Sequence, residues 1–139
     1  MAINEGLLTS KSAEWTTPDD FYDKLNEEFH FTLDPCCTHE NAKCKKHFTK
    51  EDQGLNQPWS GEVVFMNPPY GRQIAAWMEN AYHEFLAGTT VVCLVPARTD
   101  TAWWHNYAMK GEIRFIRGRI KFGGYKWNAP FPSAVIIFN

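Results

Sequence analysis

A chain of 139 residues that is 44% hydrophobic and 15% aromatic suits one domain with one core. No apolar run approaches the roughly 18 residues of a membrane span, and the opening "MAINEGLLTSKSAEW" lacks the basic start and apolar stretch of a secretion signal. The net charge of −2 conceals an asymmetry: residues 1–42 carry nine acids against Lys11 and Lys24, while residues 97–139 carry Asp100 and Glu112 against seven Lys and Arg. A basic C-terminal third can dock a polyanion on one face, although scattered solvated charge accounts for the same numbers equally well. A cytosolic protein is expected, with Cys36, Cys37, Cys44 and Cys93 as reduced thiols.

Residues 1–14 read as a loose arm ahead of a single domain over 15–139. "TTPDDFYDKLNEEF" predicts a helix. Thr17 is its expected cap and Pro18 its first residue, with Asp19 and Asp20 in the first turn and Phe21, Leu25 and Phe29 on one face. "HFTLD" predicts a short strand ending at Asp34. "GEVVFM" is a near-continuous apolar run, as in a strand covered on both faces. Residues 73–87 place Ile74, Trp77, Met78, Ala81, Tyr82 and Phe85 at helical spacing before Gly88. "TTVVCLV" predicts a buried strand and "DTAWWHNYAMKG" a short helix, and "EIRFI", "RIKFGG" and "SAVIIFN" predict three more strands. The pattern predicts an α/β sandwich with helices on both faces. Its sheet is expected to be mostly parallel with an antiparallel C-terminal edge.

The strand over Val63–Met66 runs directly into Asn67-Pro68-Pro69-Tyr70. Two prolines remove two donors and fix two φ angles, and Pro68 pushes Asn67 out of the helical region. The strand therefore stops abruptly and presents an amide, a stiff carbonyl and an aromatic ring at its carboxyl end, where open α/β sheets bind ligands. The side-chain oxygen of Asn67 and the carbonyl of Pro68 can accept from the two N–H bonds of an aromatic amine. Held so, the nitrogen takes tetrahedral character and its lone pair can meet an electrophile. Tyr70 can stack on the ring that bears the amine.

"NPPY" at a strand end resembles motif IV of the S-adenosylmethionine-dependent amino-methyltransferases. "EWTTPDDF" looks like their motif X and "FTLDPCC" like their motif I. The order X, I, IV is similar to that of the gamma-type adenine methylases. The wider pattern, TP…LDP…NAKC…NPPYG…LVPART…GRIKF…FPSAVIIF, resembles the short phage-encoded, Dam-type DNA N-6-adenine methyltransferases. The resemblance implies a compact Rossmann-like methyltransferase sandwich. It also implies S-adenosylmethionine as methyl donor and double-stranded DNA as substrate, with Asn67, Pro68, Pro69 and Tyr70 as the catalytic group. By position it places Trp15, Thr17, Pro18, Pro35 and Asn67 around the cofactor, Asp34 on its ammonium and Asp52 on its adenine amine. Asp52 also suits a turn before Gly54. Two departures stand out. "DPCCTHEN" replaces the glycine-rich loop, and only 33 residues separate Asp34 from Asn67, so the fold is expected to be reduced between those motifs.

Arg72, Arg98, Arg117 and Arg119 are candidate DNA contacts around the pocket mouth, whereas Arg114 and Lys121 suit ordinary solvated strand positions. Trp103, Trp104 and His105 border a strand end, where packing or the pocket would account for them. Trp77, Tyr82 and Phe85 read as core. A rival, non-enzymatic reading takes Cys36, Cys37, His39, Cys44 and His47 as a zinc-binding nucleic-acid module, although the adjacent cysteines and missing C-x2-C pair speak against it. An amino-methyltransferase acting on RNA or protein glutamine would keep NPPY with a different partner. The expected assembly is a monomer or small homo-oligomer, and no membrane or resident metal is expected.

Overall fold

The computed structural model describes residues 15–139, so the arm expected over residues 1–14 lies outside the described residues. Helix α1 (Asp19–Phe29) begins one residue later than its capping pattern predicts. Pro18 is extended (ψ 142°) and occupies the cap position, because the Thr17 hydroxyl is turned away to hold another side chain. The helix buries Tyr22 and Leu25, with Phe21 and Phe29 only partly covered.

The sheet is built from β1 (Val63–Met66), β2 (Thr90–Pro96), β3 (Glu112–Phe115) and β4 (Ser133–Phe138), in the order β1-β2-β4-β3. Only β1 and β2 pair in parallel; β4 runs antiparallel to both β2 and β3. The expectation of a mostly parallel sheet is thus corrected. The reversed strand sits inside the sheet, fully buried, and β3 forms the antiparallel edge. Beyond β1, the "HFTLD" segment contributes a parallel bridge from Leu33 to Val64, with the Phe65 N–H donating to the Leu33 carbonyl at 3.0 Å. Residues 35–62 hold two short 3-10 turns, Lys50–Asp52 and Gly54–Asn56, and no strand beyond a single Asp34–His47 bridge.

Side-chain alternation divides the sheet into two apolar faces. Phe65 meets the ring of Tyr22 at 5.1 Å, which puts α1 on the face of Phe65 and its register partner Val92. Helix α2 (Ile74–Leu86) lies on the opposite face, where Tyr82 and Phe85 reach Phe138 at 6.0 and 5.6 Å. Helix α3 (Ala102–Asn106) shares that face through Trp104 against Phe115. No helix among the described residues is long and apolar enough to cross a membrane.

Two predicted strands do not form: "HFTLD" leaves only isolated bridges at Leu33 and Asp34. "RIKFGG" forms no ladder, and residues 116–132 run as a loop from β3 to β4 with a lone bridge from Gly123 to Thr16. Gly118 (φ 78°) and Gly124 (φ 85°) are left-handed, which breaks an extended run at both ends. The loop's apolar residues turn inward instead of pairing.

Phe138 is fully buried between the rings of Tyr82 and Phe85. Phe138→Ala should cost about 3–5 kcal/mol of stability, the scale for a core phenylalanine. Urea unfolding with an unchanged m-value would measure it, and a loss below about 1 kcal/mol would show that this face is not packed as described.

Candidate active site

The Leu33–Val64 bridge brings two strand ends together, so Asp34-Pro35 and Asn67-Pro68-Pro69 emerge side by side. With Trp15–Thr17 on one flank and parts of residues 49–56 on the other, they enclose a cavity of about 660 Å³. That volume suits a nucleotide-sized small molecule.

Asn67 has its amide locked. Its Nδ2 donates to the backbone carbonyl of Trp15 and, at 3.0 Å, to Thr17 Oγ1. Turning the amide over would set Oδ1 against the Trp15 carbonyl oxygen, an obligate acceptor, so that carbonyl fixes the orientation. The consequence falls on Oδ1, which is buried and has no hydrogen-bond partner. An unpaired buried carbonyl oxygen costs on the order of 1–3 kcal/mol and is uncommon without a ligand to meet it.

Asp34 is 3% exposed. One carboxylate oxygen accepts from the Lys43 backbone N–H at 3.0 Å and the other, at 3.4 Å, from that of Cys36. Burial pushes the carboxyl up from its ordinary 3.8 to about 6, and the two N–H groups oppose that rise only in part. Among the described residues no side-chain cation forms an ion pair with it; the Lys43 ammonium is held by Asp19 at 2.6 Å. Asp34 is therefore an anion in the cavity wall whose charge a bound cation would stabilise.

The remaining wall holds groups that the sequence pattern does not single out. Trp77, expected to be core, lines the cavity, and its buried Nε1 has no partner. Gly54 leaves no room for a side chain, since a Cβ there would stand 2.1 Å from the Pro35 carbonyl oxygen and 3.1 Å from the Trp77 ring. The Cys36 thiol donates to the Asn67 carbonyl at 3.2 Å. A lone glycine beside charged residues, in "KEDQGLNQ", is the one signal of this close approach that sequence offers.

The predicted residues divide. Trp15, Thr17, Asp34, Pro35, Asn67, Pro68 and Pro69 share the cavity wall. Pro18 caps α1 outside it. Asp52 is also outside, exposed, and accepts from the Thr49 N–H and hydroxyl at 2.8 and 3.0 Å, so it closes a turn. Tyr70 lies behind the wall: it is buried, donates to the Leu94 carbonyl at 3.2 Å, and meets Phe122 and Phe131 edge-on. Trp103 and Trp104 pack against each other, and His105 bonds the Thr99 carbonyl, so these three serve packing. Arg72, Arg117 and Arg119 are exposed, and the Arg98 guanidinium lies 5.9 Å from the Phe131 ring. Arg114 is committed to Glu28 through two 2.7 Å bonds and to Glu112.

The thiols of the rival zinc reading are dispersed. Cys36 and Cys37 donate to backbone carbonyls, Cys44 meets the Tyr22 hydroxyl, and His39 pairs with His47 at 2.9 Å. Burial pushes all three thiols up, away from the thiolate a metal needs. Among the described residues no group of three or more His, Cys, Asp or Glu is arranged to hold a metal ion.

A family model described as "DNA N-6-adenine-methyltransferase (Dam)" matches residues 6–134. A protein of Escherichia coli (strain K12) named "Putative methyltransferase YfdM" is 38% identical over 64 residues, covering 41% of this chain and 70% of that protein.

Two outcomes follow from the geometry. The folded carboxyl of Asp34 titrates above its unfolded value, so it adds stability below about pH 4 that is lost as pH rises through about 6. Relative to Asp34→Asn, the wild type should lose about 3 kcal/mol between pH 4 and pH 7, at 1.36 kcal/mol per unit. Denaturant titrations at several pH values test this, and a pH-independent difference would contradict it. Gly54→Ala must displace either Pro35 or its own turn. It should destabilise the fold by about 1–3 kcal/mol, as overpacking does, and a variant with wild-type melting would show that the wall yields freely.

Proposed function

The chain belongs to the Dam family of DNA N-6-adenine-methyltransferases, and on that premise we propose that it moves a methyl group from S-adenosylmethionine to the N6 amine of adenine in DNA. The observation that carries the proposal is the partnerless, orientation-locked Oδ1 of Asn67. In this reading the fold is a reduced Rossmann-like methyltransferase domain over residues 15–139.

The residues present fit such a donor. The cavity has the volume, Asp34 offers an anion for an α-ammonium group, and Trp77 offers an unused N–H. When bound, S-adenosylmethionine supplies an electrophilic methyl on a sulfonium centre. Trp15, Thr17 and Pro35 form the wall around it, and the 49–56 segment takes the part that the resemblance gives to Asp52. Neither Asp52 nor Pro18 touches the donor in this version.

The acceptors Asn67 Oδ1 and the Pro68 carbonyl hold the two N–H bonds of the adenine amine, turning its lone pair toward the methyl. Trp15 and Thr17 act through Asn67, by fixing the orientation of its amide. As the C–N bond forms, the sulfur–methyl bond would break and leave its electron pair on a neutral thioether; the nitrogen turns acidic and its proton passes along these hydrogen bonds to water, so no strong base is required. Adenine must leave the duplex to reach the site. Tyr70 can stack on it only when Phe122 and Phe131 move off its ring.

The test is incubation with labelled methyl donor and duplex DNA, RNA or protein, followed by nucleoside and amino-acid analysis. Label in N6-methyladenine of DNA is expected; label confined to RNA or glutamine would replace the substrate. Asn67→Ala should lower turnover at least about a hundredfold, the scale for a positioned polar group in a transition state, while donor binding by calorimetry survives. Near-normal turnover would remove Asn67 from the mechanism.

A further inference from the structure

The loop of residues 116–132 carries the most exposed aromatic residue among the described large hydrophobics, Trp127 at 69%. Large aromatics normally bury most of their surface, and this loop shows that it can do so. Ile120, Phe122, Ala129 and Phe131 are all buried, and Tyr125 stacks on Trp15 at 4.4 Å. The underside of the loop is therefore anchored on Trp15 and Tyr70, at the edge of the site, while Trp127 stands on its outer side.

Its surroundings have one sign. Residues 116–132 contain Arg117, Arg119, Lys121 and Lys126 and no acid, and all four cations are exposed. Among the described residues none of the four takes part in an ion pair, whereas Arg114, just before them, is held by two glutamates. The Lys126 ammonium lies 5.4 Å from the Trp127 ring. An exposed aromatic face among unpaired cations suits a ligand that combines flat rings with phosphates.

Resting on the proposed DNA reading, we propose that Trp127 is a base-stacking contact for the DNA substrate. It holds an opened base next to the target adenine, while the loop's four cations grip the flanking phosphates. The two contacts separate by their salt response, because cations release counterions from the phosphates and a stacked indole does not.

The test compares three forms of the protein, wild type, Trp127→Ala and Trp127→Phe, by fluorescence anisotropy. The ligands are a mixed-sequence single strand, an abasic strand of equal length, and a duplex. Binding of S-adenosylmethionine serves as the folding control. Trp127→Ala should bind the base-bearing strand at least about fivefold more weakly, the lower end for one base–aromatic stack. The abasic strand should bind as before with the same salt slope, and Trp127→Phe should recover most of the loss. By contrast, Arg117→Ala with Arg119→Ala should flatten the duplex salt slope by about 0.9 for each phosphate no longer gripped. Wild-type affinity in Trp127→Ala, or an equal loss on the abasic strand, would overturn the stacking role. If the wild type methylates DNA while Trp127→Ala binds normally, only this inference falls. If the wild type neither binds nor methylates DNA, the functional reading falls with it.

Discussion

The site depends on one side-chain amide held from two sides. Asn67 ends β1, and its Nδ2 is fastened to the Trp15 carbonyl and the Thr17 hydroxyl, residues some fifty positions earlier in the chain. That grip ties the segment ahead of α1 to the carboxyl end of β1, and the cap position moves from Thr17 to Pro18, so that α1 starts at Asp19. The segment it holds also anchors the loop of residues 116–132, since Tyr125 stacks on Trp15 and the Gly123 N–H reaches the Thr16 carbonyl at 2.9 Å. The same fastening leaves Oδ1 without a protein partner in the cavity wall. A satisfied asparagine here would be a structural pin; this one is pinned through Nδ2 and leaves Oδ1 buried and unpaired.

Charge is segregated around that centre. Two of the five acids of α1 are paired, Asp19 with Lys43 and Glu28 with Arg114. Both acids titrate below their ordinary values, so each pair contributes only while its carboxylate is ionised. Their exposure keeps the contribution modest. Past Arg114 the cations of the loop have no such partners among the described residues. The acidic helix thus has two of its carboxylates paired with cations from elsewhere in the chain, while the four cations of the loop keep their field intact.

What could be read in advance follows from where the constraint is local. β1 and its abrupt stop are legible because two prolines act on their own neighbours, and α2 is legible because its apolar spacing repeats over a full 13 residues. The Asp34 and Asn67 positions are legible through their motif, although the bridge that joins them is not. The misses depend on distant partners. "RIKFGG" alternates like a strand, but its apolar residues Ile120 and Phe122 are buried, with Phe122 meeting Trp15 and Tyr70 rather than a neighbouring strand. Asp52 sits at a plausible spacing for ligand contact, yet its carboxylate is consumed three residues away by Thr49. The core reading of Trp77 holds, since it is buried in the stripe of α2, and only the fold shows that its ring also reaches Gly54 and the cavity.

The placement of β4 bears on how the molecule can be assembled. It follows every other strand in chain order yet lies between β2 and β3, spanning separations of some forty residues to one neighbour and some twenty to the other. Until it enters, β3 has no strand to pair with and β2 lacks its second partner. The sheet cannot be built outward from a finished half, so its closure is a late, non-local event of the kind that slows folding. The loop of residues 116–132 is closed by the same step, since its two ends are the paired strands. Organisation of the loop over the active site should therefore coincide in time with completion of the sheet.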